Sequence, residues 1–211
     1  MADNDIHPNA PAGGGGPGAF KTAAPAGMNG SAEKWARPGP LGVEAAPAET
    51  LKINGLIAAG GPLSAQTISA VNKAADKTPA QWKRFVAYAD VVKVGGSLAW
   101  RANNPGNLRD AGTKIATVTG AIGKFAVFAT LADGHAAQRA LYLNKYGDML
   151  VKDAINKLTP PNENNTTKYL EELTKDGVDI NKDVKSQIDT LMKAVEANEG
   201  LIAGIEVKRV P

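Results

Sequence analysis

Glu199 is the residue in this sequence whose position most strongly suggests acid catalysis. The apolar residues upstream of it recur at the helical spacing of three and four: Val184, Ile188, Leu191 and Val195. The next position on this stripe is Glu199, so a carboxyl group takes the place of a core side chain. Gly200 suits a left-handed helix cap, which would leave Glu199 in the last turn. Exposed helix carbonyls and partial burial both raise the pKa of a carboxyl group, so Glu199 could act as a general acid.

The alternative is that Glu199 is a solvated residue at a frayed helix end, because glutamate is almost never buried without a partner. Glu196 lies off the apolar stripe, and we expect it to face solvent. Asp133 and Glu163 are reserve acids, and Glu163 would be a helper because a helix N-terminus lowers the pKa of a nearby carboxyl group. We expect His135 to be a surface residue, since nothing near it in the sequence supplies a nucleophile.

A turn rich in asparagine lies near the middle of the chain, at residues 101–109. Asn-Pro-Gly favours a turn, and asparagine side chains bind either backbone groups or a ligand. Asn103, Asn104 and Asn107 are therefore candidate binding residues. The β-branched residues of 114–119 and the apolar run 125–128 predict a small β-hairpin directly after this turn.

Helices are predicted on both sides of the turn and hairpin. On the N-terminal side, Ser64 caps one helix, and Thr78-Pro79 begins a second that carries Trp82, Phe85, Val86 and Ala89 on a core-facing side. On the C-terminal side, Thr130 and Asp133 form a capping box for a helix that ends at Gly147. Three more helices are expected there. One is stopped by Pro160-Pro161, one is capped by Asn165 or Thr166, carries Tyr169 inward and closes at Gly177, and the final helix is capped by Asn181.

Residues 1–50 are dominated by Ala, Gly and Pro, and they lack hydrophobic periodicity. We expect a disordered or extended arm in which Phe20 and Trp35 either anchor the protein to a partner or are incidental. Residues 51–211 would form one domain, with N-terminal helices over 51–99 and a motif-bearing core over 100–211. The fold class expected is mainly α with a small β-hairpin, in the α+β class.

Composition excludes several classes of protein. No apolar run approaches the ~20 residues of a membrane span, and the N-terminus lacks the basic and apolar parts of a signal peptide. We therefore expect synthesis in the cytoplasm. The net charge of +3 is too small to indicate nucleic acid binding, and the absence of cysteine with only two histidines argues against a zinc site. No metal or cofactor is expected.

Several segments resemble enzymes that degrade peptidoglycan. The run from Met192 to Glu199 resembles the catalytic helix of soluble lytic transglycosylases. Three further segments, taken in order, resemble a bacteriophage virion-protein family of the lysozyme-like superfamily: NNPGNLR at 103–109, FAVFATLADGHAAQRAL at 125–141 and LTPPNENNTTKYL at 158–170. The chain departs from that family where Asn198-Glu199-Gly200 replaces its His-Glu-Asn-Gly.

The same segments are similar to flagellar and autolysin N-acetylglucosaminidases, in which the catalytic glutamate precedes the asparagine-glycine turn. Residues 52–101 contain no glutamate in this chain. Either the fold is a binding relic, or the acid helix has moved to the other end of the sequence. We favour a circularly permuted lysozyme-like domain with Glu199 as its acid.

The resemblance implies cleavage of the β-1,4 bond between N-acetylmuramic acid and N-acetylglucosamine, by a lytic transglycosylase or a muramidase. In that reading Asn103, Asn104 and Asn107 orient the sugar, and Tyr169 forms a hydrogen bond at the cleavage site. It also implies a virion-associated protein that acts on the cell wall in the periplasm. A structural virion or assembly protein without activity, and an antibacterial effector exported by a secretion apparatus, are the alternatives.

Overall fold

The computed structural model of the protein describes residues 51–120, 123–159 and 165–211, which form an α+β fold. The predicted N-terminal arm, with Phe20 and Trp35, lies outside the described residues, as does Glu163. Six α-helices are present within the described residues: α1 Ala65–Asp76, α2 Leu98–Arg101, α3 Leu131–Tyr146, α4 Val151–Leu158, α5 Thr166–Lys175 and α6 Ile188–Asn198. None of them is both long enough and apolar enough to cross a membrane.

A four-stranded mixed sheet forms one half of the fold. Its strands lie in the order β1 Asn54–Ile57, β2 Arg84–Ala87, β3 Val91–Val94 and β6 Ile205–Lys208. β1 and β2 are parallel, whereas β3 is antiparallel to both β2 and β6. The strand that completes the sheet therefore comes from the last residues of the chain.

This sheet corrects the expectation of an N-terminal region made of helices. The helix predicted from Pro79 is instead a short 3-10 turn over Ala80–Trp82, followed by β2. Phe85 and Val86 are both buried, but they pack into different clusters on opposite faces of the sheet. A strand buried on both faces is a continuous apolar run, which sequence periodicity does not distinguish from a buried helix segment.

The predicted hairpin is confirmed as β4 Ala116–Gly120 and β5 Gly123–Val127, which pair antiparallel. The asparagine-rich turn lies between α2 and this hairpin and is tied to both. Asn104 N–H donates to the carbonyl of Ala99, and Phe128 N–H donates to the carbonyl of Ala102. The turn is therefore held by the sheet-side half of the molecule.

The other half is a helical layer made by α3, α4, α5 and α6 around a shared apolar core. The predicted capping box of α3 is confirmed, formed by the side chains of Thr130 and Asp133, and of the two caps considered for α5 the structure has Asn165. Gly177 and Gly200 both adopt left-handed backbone angles, with φ of 89° and 65°. These helix ends were predictable because capping depends on neighbouring residues alone.

The final helix starts later than predicted. α6 begins at Ile188 rather than after Asn181, and a 3-10 turn over Lys185–Gln187 precedes it. The backbone from Ile180 to Val184 is instead bonded to the start of α4: Val151 N–H donates to the carbonyl of Lys182, and Lys152 N–H donates to that of Ile180. Because the carbonyls of Ile180 and Lys182 accept bonds from α4, they are not available for the hydrogen bonds of a helix that begins at Asn181.

Candidate active site

Glu199 lies at the end of α6 with only 3% of its surface exposed. Its backbone N–H donates to the carbonyl of Val195 at 2.7 Å, and Gly200 then turns the chain out of the helix. Ile188, Leu191 and Val195 are buried on the same face, as the apolar stripe predicted. The solvated helix end considered from the sequence is therefore wrong, and the carboxyl group is part of the interior.

Asn107 binds this carboxyl group. Its Nδ2 donates a hydrogen bond of 2.5 Å to Oε2 of Glu199 across 92 positions of sequence. Asn107 has a left-handed φ of 47°, a conformation that asparagine tolerates better than most residues. Its own Oδ1 is buried and has no hydrogen-bond partner among the described residues. The asparagine turn and the C-terminal acid thus meet at one place.

Asn103 and Asn104 use their side chains in contacts with the surrounding structure. The amide of Asn103 accepts a bond of 2.6 Å from Lys93 Nζ and donates to the carbonyls of Phe128 and Ala129. The amide of Asn104 accepts from Leu108 N–H and donates to the carbonyls of Leu108 and Ala126. These contacts use the side chains to fix the backbone, and neither residue lines the cleft described next.

A cleft of about 290 Å³ opens beside Glu199. This is near the lower end of the roughly 300–1,000 Å³ range of small-ligand sites. The lining combines the 106–110 segment, the end of α4, and side chains from α3, α5 and α6. Its polar and charged side chains are Asn107, Arg109, Asp110, Tyr142, Tyr146, Lys157, Thr159, Tyr169 and Glu199.

Two buried tyrosines face the carboxyl group within the cleft. Burial, and after it the charge of Glu199, hold the pKa of Tyr169 well above its usual value. Burial also raises the pKa of Tyr142; a hydrogen bond from Gln138 partly opposes this rise, and the charge of Glu199 adds a smaller increase. Both phenols are therefore protonated at neutral pH. Tyr169 was expected here from the sequence, whereas Tyr142 was not.

Asp110 is a second carboxylate that lines the same cleft. It is fully exposed, and its hydrogen bond with Lys114 keeps its pKa below the usual value. Asp110 directly follows the NNPGNLR segment, and Tyr142 shares a helix face with Gln138 and Tyr146 at spacings of four. Those sequence neighbourhoods were the available signals for both residues.

The other predicted acids lie elsewhere. The carboxylate of Asp133 is occupied in the capping box of α3 and does not line the cleft. Glu196, which the sequence predicted to face solvent, is half-buried. Its Oε2 lies 2.6 Å from Nε2 of His135. This pair joins α3 to α6. No group of three or more acidic or histidine side chains in the described part of the chain could hold a metal ion.

Comparison of the chain with protein-family models, with curated proteins and with solved structures finds no match. The cleft therefore has to be interpreted from its own chemistry. It presents a buried carboxyl group oriented by an amide, two protonated phenols beside that carboxyl, and a separate ionised carboxylate. Such a set can transfer a proton to a leaving oxygen and bind hydroxyl or acetamido groups of a polar ligand.

Proposed function

We propose that this protein cleaves the β-1,4 bond between N-acetylmuramic acid and N-acetylglucosamine in peptidoglycan, with Glu199 as the general acid and base. The observation that carries the proposal is the hydrogen bond between Asn107 and Glu199, in a cleft that Tyr169 also lines. Each residue belongs to a different segment that resembles peptidoglycan-degrading enzymes. Their convergence is what a lysozyme-like domain with a permuted acid helix requires, and we include that fold in the proposal.

In the proposed reaction, Glu199 protonates the glycosidic oxygen as the bond to the muramic acid carbon breaks. Asn107 orients the carboxyl group, and Tyr169 binds the sugar beside it. In a lytic transglycosylase the Glu199 carboxylate then accepts the proton of the sugar's own 6-hydroxyl group, which closes an anhydro ring. In a hydrolase a second carboxylate takes part, and such pairs lie about 5–9.5 Å apart. Within the described part of the chain, Asp110 is the other carboxylate that lines the cleft.

Delivery with a phage virion, for action on the cell wall in the periplasm, is part of the proposal and rests on the sequence resemblance alone. The activity itself does not depend on the route of delivery. Purified protein and purified cell walls are therefore sufficient to test it.

The test is the loss of turbidity of purified cell walls incubated with native protein and with Glu199→Gln. We expect the native protein to clear the walls and the variant to lose at least about a thousandfold in rate, because the amide cannot donate a proton as an acid does. Glu196→Gln is the matched control, since it lies on the same helix outside the cleft and should retain activity. Inert native protein, or equal clearing by Glu199→Gln, would contradict the proposal and favour a structural role.

Mass spectrometry of the released fragments decides between the two reactions. Anhydro-muramic acid ends indicate transglycosylation with one carboxyl group. Reducing ends indicate hydrolysis, and would give Asp110 a direct role as the second carboxylate.

A further inference from the structure

Among the residues that the structure describes, four charged ones line the cleft: Arg109, Asp110, Lys157 and Glu199. Two of them have partners already described, since Asp110 is bonded to Lys114 and Glu199 to Asn107. Arg109 also takes part in interactions of its own. Lys157 is the fourth charged residue, and its ammonium group has no such partner among the described residues.

Lys157 lies in the last turn of α4, where its side chain is exposed at the edge of the cleft. It makes no hydrogen bond or ion pair with a carboxylate of the described residues. A lysine in the last turn of a helix also interacts favourably with the helix dipole, which is an ordinary reason for it to be there. That reason does not explain its position at the edge of this cleft, and the two explanations predict different results.

The chemistry of the proposed substrate supplies a partner for this cation. Muramic acid differs from glucosamine by a lactyl ether, which ends in a carboxylate when no peptide is attached. Chitin, the polymer of N-acetylglucosamine, has the same β-1,4 linkage and acetamido groups but no carboxylate. A cation at the cleft edge is therefore a means of distinguishing the two polymers.

We propose that Lys157 binds the lactyl carboxylate of a muramic acid residue, and so gives the cleft a preference for peptide-free peptidoglycan strands over neutral chitin-like glycans. This inference rests on the proposed function, because it assigns a subsite within the same cleft. An ammonium group at an exposed site binds a carboxylate weakly, so the preference is modest and falls with salt.

The test is calorimetric titration of full-length Glu199→Gln, which binds without turnover. Two tetrasaccharides are compared at low salt: peptide-free GlcNAc-MurNAc repeats and neutral chitotetraose. We expect a preference of about twofold to fivefold for the anionic sugar. Adding Lys157→Gln should abolish that preference and leave the affinity for chitotetraose unchanged.

Lys73→Gln is the matched control for the second substitution. Lys73 is also an exposed lysine in the last turn of a helix, α1, but it lies outside this cleft. It should keep the full preference for the anionic sugar. Thermal denaturation by circular dichroism checks that each variant is folded.

The outcomes separate this inference from the proposed function. Equal binding of both sugars by Glu199→Gln, or an undiminished preference after Lys157→Gln, overturns the role of Lys157 and leaves the proposed function standing. Binding of neither sugar contradicts both. A third titration uses the same repeats with stem peptides attached. A Lys157-dependent gain seen only there would assign the carboxylate to the peptide and overturn the lactyl assignment.

Discussion

At the scale of single residues, the site depends on how one amide holds one carboxyl group. Asn107 adopts a left-handed backbone conformation and directs its amide to Glu199. Asn103 has a similar φ of 52°, but its amide is hydrogen-bonded to Lys93 and to two backbone carbonyls. The two residues thus share a backbone conformation and differ in what the side chain does.

This difference gives a matched pair of substitutions. Asn107→Gly keeps the left-handed turn, because glycine adopts it without steric cost, and removes only the amide that orients Glu199. A hydrogen bond to a charged group is worth about 1.5–3 kcal/mol, so we expect kcat/KM on cell walls to fall roughly ten- to a hundredfold. The loss of this buried contact should also lower the melting temperature, so kcat/KM is measured well below the onset of unfolding.

Asn103→Gly should lower stability without a direct effect on Glu199, because Asn103 does not line the cleft. It removes three hydrogen bonds that hold the turn to β3 and to the end of β5, so its main effect should be a lower free energy of unfolding, measured by urea denaturation. Full wall-clearing activity in Asn107→Gly would show that the amide does not serve the carboxyl group.

At the scale of elements, α3 packs closely against the asparagine turn. A Cβ atom on Gly134 would lie 1.9 Å from the carbonyl oxygen of Asn103 and 2.8 Å from Cδ of Pro105. Gly134 is therefore the point where the first turn of α3 meets the backbone that leads to Asn107. This contact with α3 adds to the backbone hydrogen bonds that tie the turn to α2 and to the hairpin.

Gly134→Ala should accordingly destabilise the fold. The methyl group meets backbone atoms that have to move, and overpacking of this kind costs about 1–3 kcal/mol in the free energy of unfolding. Urea denaturation measures the cost. Gly112→Ala is the control, because a Cβ atom there meets nothing within 4 Å, and its effect should stay within about 0.5 kcal/mol. Equal stabilities of the two variants would argue against a close contact at Gly134.

The features that could be predicted from the sequence are those that depend on residues close together in the chain. The caps at Ser64, Thr130 and Asn165 were predictable because each depends on residues within one turn. The acid at Glu199 was predictable as a break in an apolar stripe. The four-residue strand β2 was not, because Phe85 and Val86 form an apolar run compatible with either a helix or a strand.

The composition of the cleft was predictable only in part, because it arises from long-range packing. Asn107, Tyr169 and Glu199 were selected from the sequence, and the structure brings all three to the cleft. Asp110, Tyr142 and Lys157 were missed, because each reaches the cleft only when the helical layer packs against the 106–110 segment. The sequence also did not show which of the three asparagines lines the cleft. Asn107 does, whereas the amides of Asn103 and Asn104 donate to backbone carbonyls.

At the scale of the whole molecule, the segment after Glu199 joins the two halves of the fold. Ile202 exchanges hydrogen bonds with Ser97, and β6 then completes the sheet. The guanidinium group of Arg209 donates to five backbone carbonyls, those of Ala59, Gly60, Gly61, Pro62 and Tyr88. The helical layer and the sheet are thus fastened together immediately beyond the candidate acid.

Buried phenols on both sides of this junction give the molecule a predictable response to alkaline pH. Burial raises the pKa of Tyr88, Tyr142 and Tyr169, so the folded protein keeps them protonated while the unfolded chain ionises near pH 10. Their contribution to stability is therefore complete below about pH 10 and is lost as the pH rises above it.

An alkaline titration that follows tyrosinate absorbance and circular dichroism together measures this response. Three of the four tyrosines should ionise only as the helical signal is lost. In guanidinium chloride all of them should ionise near pH 10. Ionisation of all four near that pH with a native circular dichroism signal would contradict the burial of the phenols.

The contact between Asn107 and Glu199 also determines when, during synthesis, the cleft can first exist. Its two residues are 92 positions apart, and the sheet gains its last strand only after Glu199 has been made. Contacts of such long sequence separation form late in folding. A nascent chain, or a fragment ending before Glu199, would carry the asparagine turn and both tyrosines yet have no acid. The complete cleft therefore cannot form on a nascent chain until Glu199 has left the ribosome.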